Sequence, residues 1–258
     1  NFWGSTREGG REKWSFQHTI HAVVPNALAT DEQLSHPAVR LFNLMQNRQF
    51  RSRAELVRET HMARATVFRA FSQLKSACWA VETRNARTNK RVLAASLPTR
   101  VQQQIADLIE GDRFNVTYVG EWLMQCWLDA LVNSLDYLDN ARPSWVRNIE
   151  SGRRMEFDRH YRNPPVAFEF QGPQHFVTTQ EFADKEKQQE QQRRDDRKAG
   201  ICARHHVRFV EITAGDLALD RMLACIPLEL PLRPYNENQP IIRTLARLSD
   251  GYYKTTAR

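Results

Sequence analysis

The sequence predicts a mixed α/β chain of the α+β type, built as two units, and three observations carry that prediction. Between His36 and Ser96 three short stretches with apolar residues at helical spacing run into a strand, a polar turn and a second strand. A long stretch rich in tryptophan and leucine follows, "TYVGEWLMQCWLDALVNSLDYL". The strand-like runs "VAFEFQGPQHF" and "HHVRFVEIT" then stand on either side of a long polar helical run.

Charge divides the chain at the same place. Its 258 residues carry a formal net charge of +7. From His36 to Ser96 there are twelve Arg or Lys against three Glu, a net of +9, so the remainder carries −2. A basic segment joined to a slightly acidic one fits a polyanion-binding module attached to something else. No apolar run reaches bilayer length, which excludes a helical membrane span from the expected architecture. No secretory pattern opens the chain, and it begins at Asn1 rather than Met, as a piece of a longer chain would. The four cysteines are far apart with no C-x-x-C pair, which argues against structural zinc and for a reduced, cytoplasmic protein.

Residues 1–35 are expected to be an N-terminal extension, and 36–97 the basic unit. "HPAVRLFNLMQ" places Val39, Leu41, Phe42 and Met45 at helical spacing. Ser52 with Glu55 three residues on reads as a capping box opening "SRAELVRET". "HMA" is a tight turn. In "RATVFRAFSQLKSA", Val67, Phe71 and Leu74 share one face, which leaves Arg64, Thr66, Arg69 and Gln73 directed away from the core. "WAVETRNARTNKRVLAAS" reads as a hairpin with Arg84, Arg87, Lys90 and Arg91 in or near its turn.

Residues 98–115 are expected to form a linking helix. The helix that follows is predicted to run through "TYVGEWLMQCWLDALVNSLDYL", with Trp122, Leu123, Trp127, Leu128, Leu131 and Leu135 in the core. Glu121 falls in its first turn, where the helix dipole favours a carboxylate. "RRMEFDRHYRNPPVAFEFQGPQHF" is predicted to be two antiparallel strands, Met155–Asp158 and Val166–Gln171, joined by a turn containing Pro164 and Pro165. Alternation sends Glu169 and Gln171 to one face of the second strand. Adjacent strands lie about 4.8 Å apart, so Asp158 and Glu169 can converge. Two carboxylates that close repel unless a cation stands between them, and an oxygen-rich pair suits Mg²⁺.

Three short helices and a basic hairpin resemble a winged helix-turn-helix domain, in which "MARATVFRAFSQLK" would be the recognition helix. The resemblance implies that Arg64, Thr66, Arg69 and Gln73 face double-stranded DNA, while Arg84, Arg87, Lys90 and Arg91 of the wing reach its backbone. Further on, Asp158 followed by Glu169-x-Gln171 on a strand hairpin, and the "QGPQHF" continuation, resemble the PD-(D/E)XK nuclease superfamily, in the branch of very-short-patch-repair and homing-type endonucleases. That resemblance implies a mixed sheet flanked by helices over residues 116–232, with 233–258 left as a C-terminal tail or helix. It also implies a metal site of Asp158 and Glu169 completed by Glu121, loaded with Mg²⁺ or Mn²⁺. The family's usual lysine is replaced by Gln171. Lys198 in "RDDRK" is the candidate to supply the missing charge, and Gln174 and His175 would contact DNA or support the ligands.

The function so implied is a metal-dependent DNA endonuclease positioned by its winged helix, of use in restriction, phage defence, repair or a mobile element. One such site cuts one strand at a time, so a double-strand break would call for a homodimer, a partner in a larger nucleoprotein complex, or successive nicks. The alternative is a DNA-binding transcription regulator or complex adaptor whose nuclease-like domain is inactive.

Overall fold

The computed structural model describes residues 17–85, 87–148, 152–172 and 197–256. The chain is a mixed α and β structure with two sheets among these residues. No helix among them is long and apolar enough to cross a membrane.

The first half forms α1 (Gln17–Ala29), α2 (His36–Met45), α3 (Arg53–Thr60) and α4 (Arg64–Ser76), then the strands β1 (Ala80–Arg84) and β2 (Arg91–Ala95). Ala38, Leu41, Phe42 and Met45 give α2 its buried stripe, which packs on Val67, Ala70, Phe71 and Leu74 of α4. Ser52 caps α3: its Oγ accepts the Glu55 N–H at 3.2 Å, and the Glu55 carboxylate in turn accepts the Arg51 N–H at 2.7 Å. His61 ends the helix in the left-handed region at φ 53°. The hairpin pairs Ala80 with Ala95 through Arg84 with Arg91, and a bridge from Phe50 to Leu93 extends it on one side.

Helix α5 (Thr99–Asp112) leads into α6 (Val119–Leu131), and the four-stranded sheet follows. Its strands are β3 (Tyr137–Ala141), β4 (Phe157–Arg162), β5 (Pro165–Gln171) and β6 (Arg208–Thr213), ordered as numbered. The first three are antiparallel, and β6 lies parallel to β5. A parallel neighbour requires a crossover, and α7 (197–204) is its described part. After β6 come α8 (Leu219–Cys225) and α9 (Pro240–Thr256), which packs on α5 and α6. Within 233–258, therefore, residues 240–256 are a packed helix. One apolar core runs from Val24 through the hairpin and α6 to Leu245. A smaller cluster of Val146, Phe157, Ala167, Cys202 and Val207 lies between the sheet and α7.

Two expected boundaries are corrected. Helix α6 stops at Leu131, and "NSLDYL" turns instead into β3. The stop has a partner: Val132 bridges to Leu232, and the buried Asn133 amide donates to the Met45 carbonyl at 3.3 Å. The first hairpin strand is Phe157–Arg162 rather than Met155–Asp158. It was hidden because "DRHYR" looks like surface, whereas Arg159 and Tyr161 are fully buried.

Candidate functional site

Arg159 pairs with Phe168 across β4 and β5, and the next step along both strands is Asp158 and Glu169. The Phe170 N–H donates to Asp158 Oδ2 at 2.7 Å, which fixes that carboxylate at the hairpin's open end. On β5, Ala167, Glu169 and Gln171 alternate to one face, and α7 covers it. Cys202 packs against Ala167, and Lys198, one turn earlier on the same helix side, forms an ion pair with Glu169. Both partners of that pair are nearly buried, at 11% and 13% side-chain exposure.

Two of the expected residues are in direct contact. Glu169 and Lys198 touch, and the positive charge of Lys198 also reaches Asp158. Burial raises the Asp158 carboxyl to about 6, against the pull of the Phe170 N–H and of Lys198. Gln171 is 8% exposed, and its amide donates to Glu211 Oε1 at 3.0 Å. Glu211 is the residue opposite Glu169 in the parallel ladder. Glu121 stands in the first turn of α6 and is linked to the hairpin by Gln125, whose amide nitrogen lies 3.2 Å from both Glu121 Oε1 and the Asp158 carbonyl. Among the described residues, no three His, Cys, Asp or Glu side chains are grouped to hold one ion. Glu121 is thus linked to the Asp158 backbone through Gln125.

Three contributors were not foreseen. Gly120 is required where α6 approaches the sheet, since a methyl group there would overlap the Phe170 ring and crowd the Tyr252 hydroxyl. Gln125, four residues after Glu121, had a legible signal in that spacing. The third is a buried charge network under β4. Arg159 bonds Asp129 Oδ1 at 2.7 Å and Asp139 Oδ1 at 2.6 Å, and the Tyr137 hydroxyl donates to Asp129 at 2.6 Å. This network holds the strand that carries Asp158.

On the basic unit, Arg64 and Arg69 are exposed on α4. Thr66 is half-buried, as is Gln73, whose carbonyl oxygen accepts the Ser35 hydroxyl at 2.6 Å. Arg84 and Lys90 are exposed beside the hairpin turn, and Arg84 donates to the Asn89 carbonyl at 3.0 Å. Arg91 is paired with Glu82, which Arg53 also holds at 2.8 Å. Arg87 has a different engagement: its guanidinium donates to the carbonyls of Ile226 and Pro227 at 2.6 Å and of Leu230 at 3.1 Å. Arg87 is therefore directed into the molecule and not offered at the tip. Gln174 and His175 lie outside the described residues. No protein-family model, curated protein or solved structure matches the chain.

Proposed function

We propose that the protein is a metal-dependent DNA endonuclease of the PD-(D/E)XK type, held on duplex DNA by a winged-helix unit. The observation that carries this reading is the Lys198–Glu169 ion pair next to Asp158 at the mouth of the β4–β5 hairpin. A lysine missing from β5 is restored there from α7. The order of elements around it agrees: a helix bearing an acid, an antiparallel hairpin, a covering helix, then a parallel strand.

The residues present fit a divalent cation. Asp158 and Glu169 are two carboxylates at adjacent strand positions, and Mg²⁺ is typically held by one or two carboxylates with water completing its shell. Glu121 would act through water at the same edge. When bound, Mg²⁺ would supply a lowered water pKa and polarisation of the phosphoryl oxygen. The chain's own groups do the rest. Lys198 would meet charge developing on the phosphate, where a positioned cation is worth most. Gln171, an amide with no useful basicity, would orient water, and Glu211 holds its side chain in place. Arg64, Arg69, Arg84 and Lys90 would carry the phosphate contacts.

Nicking of supercoiled plasmid in Mg²⁺ or Mn²⁺ tests the reading. Glu169→Ala should abolish cutting while duplex affinity is kept. Lys198→Ala should lower turnover by about 10²–10³-fold, the cost of removing one such electrostatic donor. Arg64→Ala with Arg69→Ala should weaken binding and reduce its salt slope by about one unit per lost contact. Salt-sensitive duplex binding with no nicking by the unaltered protein would return the chain to the regulator reading.

A further inference from the structure

We propose that the protein cuts at a fixed offset from the duplex segment it holds, because Arg87 ties the DNA-holding unit, through residues 226–232, to the end of the helix that carries Glu121. This rests on the proposed nuclease function.

The turn of a DNA-contacting hairpin would be expected to be free. Here its arginine is withdrawn onto three backbone carbonyls just past α8. A planar fork of N–H groups suits that arrangement, and a cation is favoured beyond a helix C-terminus. A second contact stands beside it. Gln49, which joins α2 to α3 in the chain, accepts the Asn85 amide at 2.9 Å through its carbonyl oxygen and donates its own amide to the Leu232 carbonyl. The strip 226–232 is held from its other side too, since Val132 bridges to Leu232 and the Asn133 N–H donates to the Pro231 carbonyl at 2.7 Å. Residues 131–133 end α6, whose first turn carries Glu121. The hairpin tip is thus tied through one strip of backbone to the helix that lines the candidate centre.

The two units share an apolar core, and packed elements can still shear against one another. Each few ångströms of such play would present a further phosphate to the carboxylates. With the clamp closed, the separation between α4 and the centre is constant and selects one phosphate. The specificity so created lies in distance, in addition to any bases read by α4.

Two measurements test this on the full chain. Spin labels at Ser72→Cys and Ala203→Cys, in a Cys78→Ser, Cys225→Ser background, report the separation between α4 and α7 without needing activity. One narrow distance is expected, and Arg87→Ala should widen it. Arg87→Lys, which keeps the charge but loses the fork, should widen it in the same direction and guards against a variant that fails to fold. A distribution already as wide in the unaltered protein, or unchanged in Arg87→Ala with Gln49→Ala, overturns the clamp. On an end-labelled duplex carrying one footprint, cuts should cluster at one offset, and each ~3.4 Å of slack in Arg87→Ala should add about one phosphate to the window. A protein that cuts over as wide a window as its Arg87→Ala form overturns the offset alone. A protein with a narrow distance that never cuts overturns the nuclease reading, and the offset with it.

Discussion

Arg159 is the residue on which the candidate centre stands. Its side chain is fully buried, and its guanidinium is shared between Asp129 and Asp139, themselves 4% and 3% exposed. Removing the cation from such a group leaves carboxylates buried without compensation, so Arg159→Ala should cost about 3–5 kcal/mol of stability, measured by urea denaturation. The same substitution should loosen β4 and with it Asp158. Residues of the centre and residues of its support differed in legibility. Glu169 and Gln171 could be read from two polar residues in an apolar strand, because the alternation of side chains is local. Arg159 could not. Its partners lie 30 and 20 positions back, and nothing near it in "FDRHYR" marks it as inward-facing. Lys198 stands in the sequence only as a substitute for a lysine missing at Gln171, and its burial against Glu169 comes from α7 folding over the strand.

At the scale of elements, the hairpin β1–β2 depends on one acid. Glu82 is held by Arg53 of α3 and by Arg91 of the opposite strand, and those two partners lower its carboxyl from 4.5 to about 2. A depressed folded-state value contributes stability that is complete above the ordinary carboxyl range and is lost as pH falls from 4.5 toward about 2. Protection of the hairpin amides, taken relative to their intrinsic exchange at each pH, should therefore fall across that window in the unaltered protein and show no matching step in Glu82→Gln. The hairpin was legible because its polar turn and alternating flanks are both local signals. Strand β3 was not. Its inward residue Tyr137 and its half-exposed Leu138 continue the apolar count of α6, so the helical pattern overran its true end at Leu131. What stops the helix is long-range: the bridge to Leu232 and the Asn133 bond to Met45.

Over the whole molecule, the division by charge is not a division of the core. The basic unit and the sheet share one apolar cluster, to which Phe42, Trp79, Trp122, Phe168 and Leu245 all belong. Unfolding should accordingly be a single transition. Fluorescence, which reports Trp79 in the first half and Trp122 and Trp127 in the second, should coincide with circular dichroism at every denaturant concentration. Two separated midpoints would show units that melt independently.

Helix α9 gives that shared core a consequence for how the protein is made. It follows in the chain every surface it covers, packing on α5 and α6, bonding Trp127 through Ser249 at 3.0 Å and bringing Tyr252 against Phe170. On a translating ribosome the basic unit emerges first, while the α5–α6 surface stays bare until residues 240–256 have cleared the exit tunnel. The nascent chain thus exposes its basic unit long before its candidate centre is backed. A stalled product lacking α9 would leave the wall behind Phe170 missing, so the helix made latest among these elements sets when the carboxylate edge becomes firm.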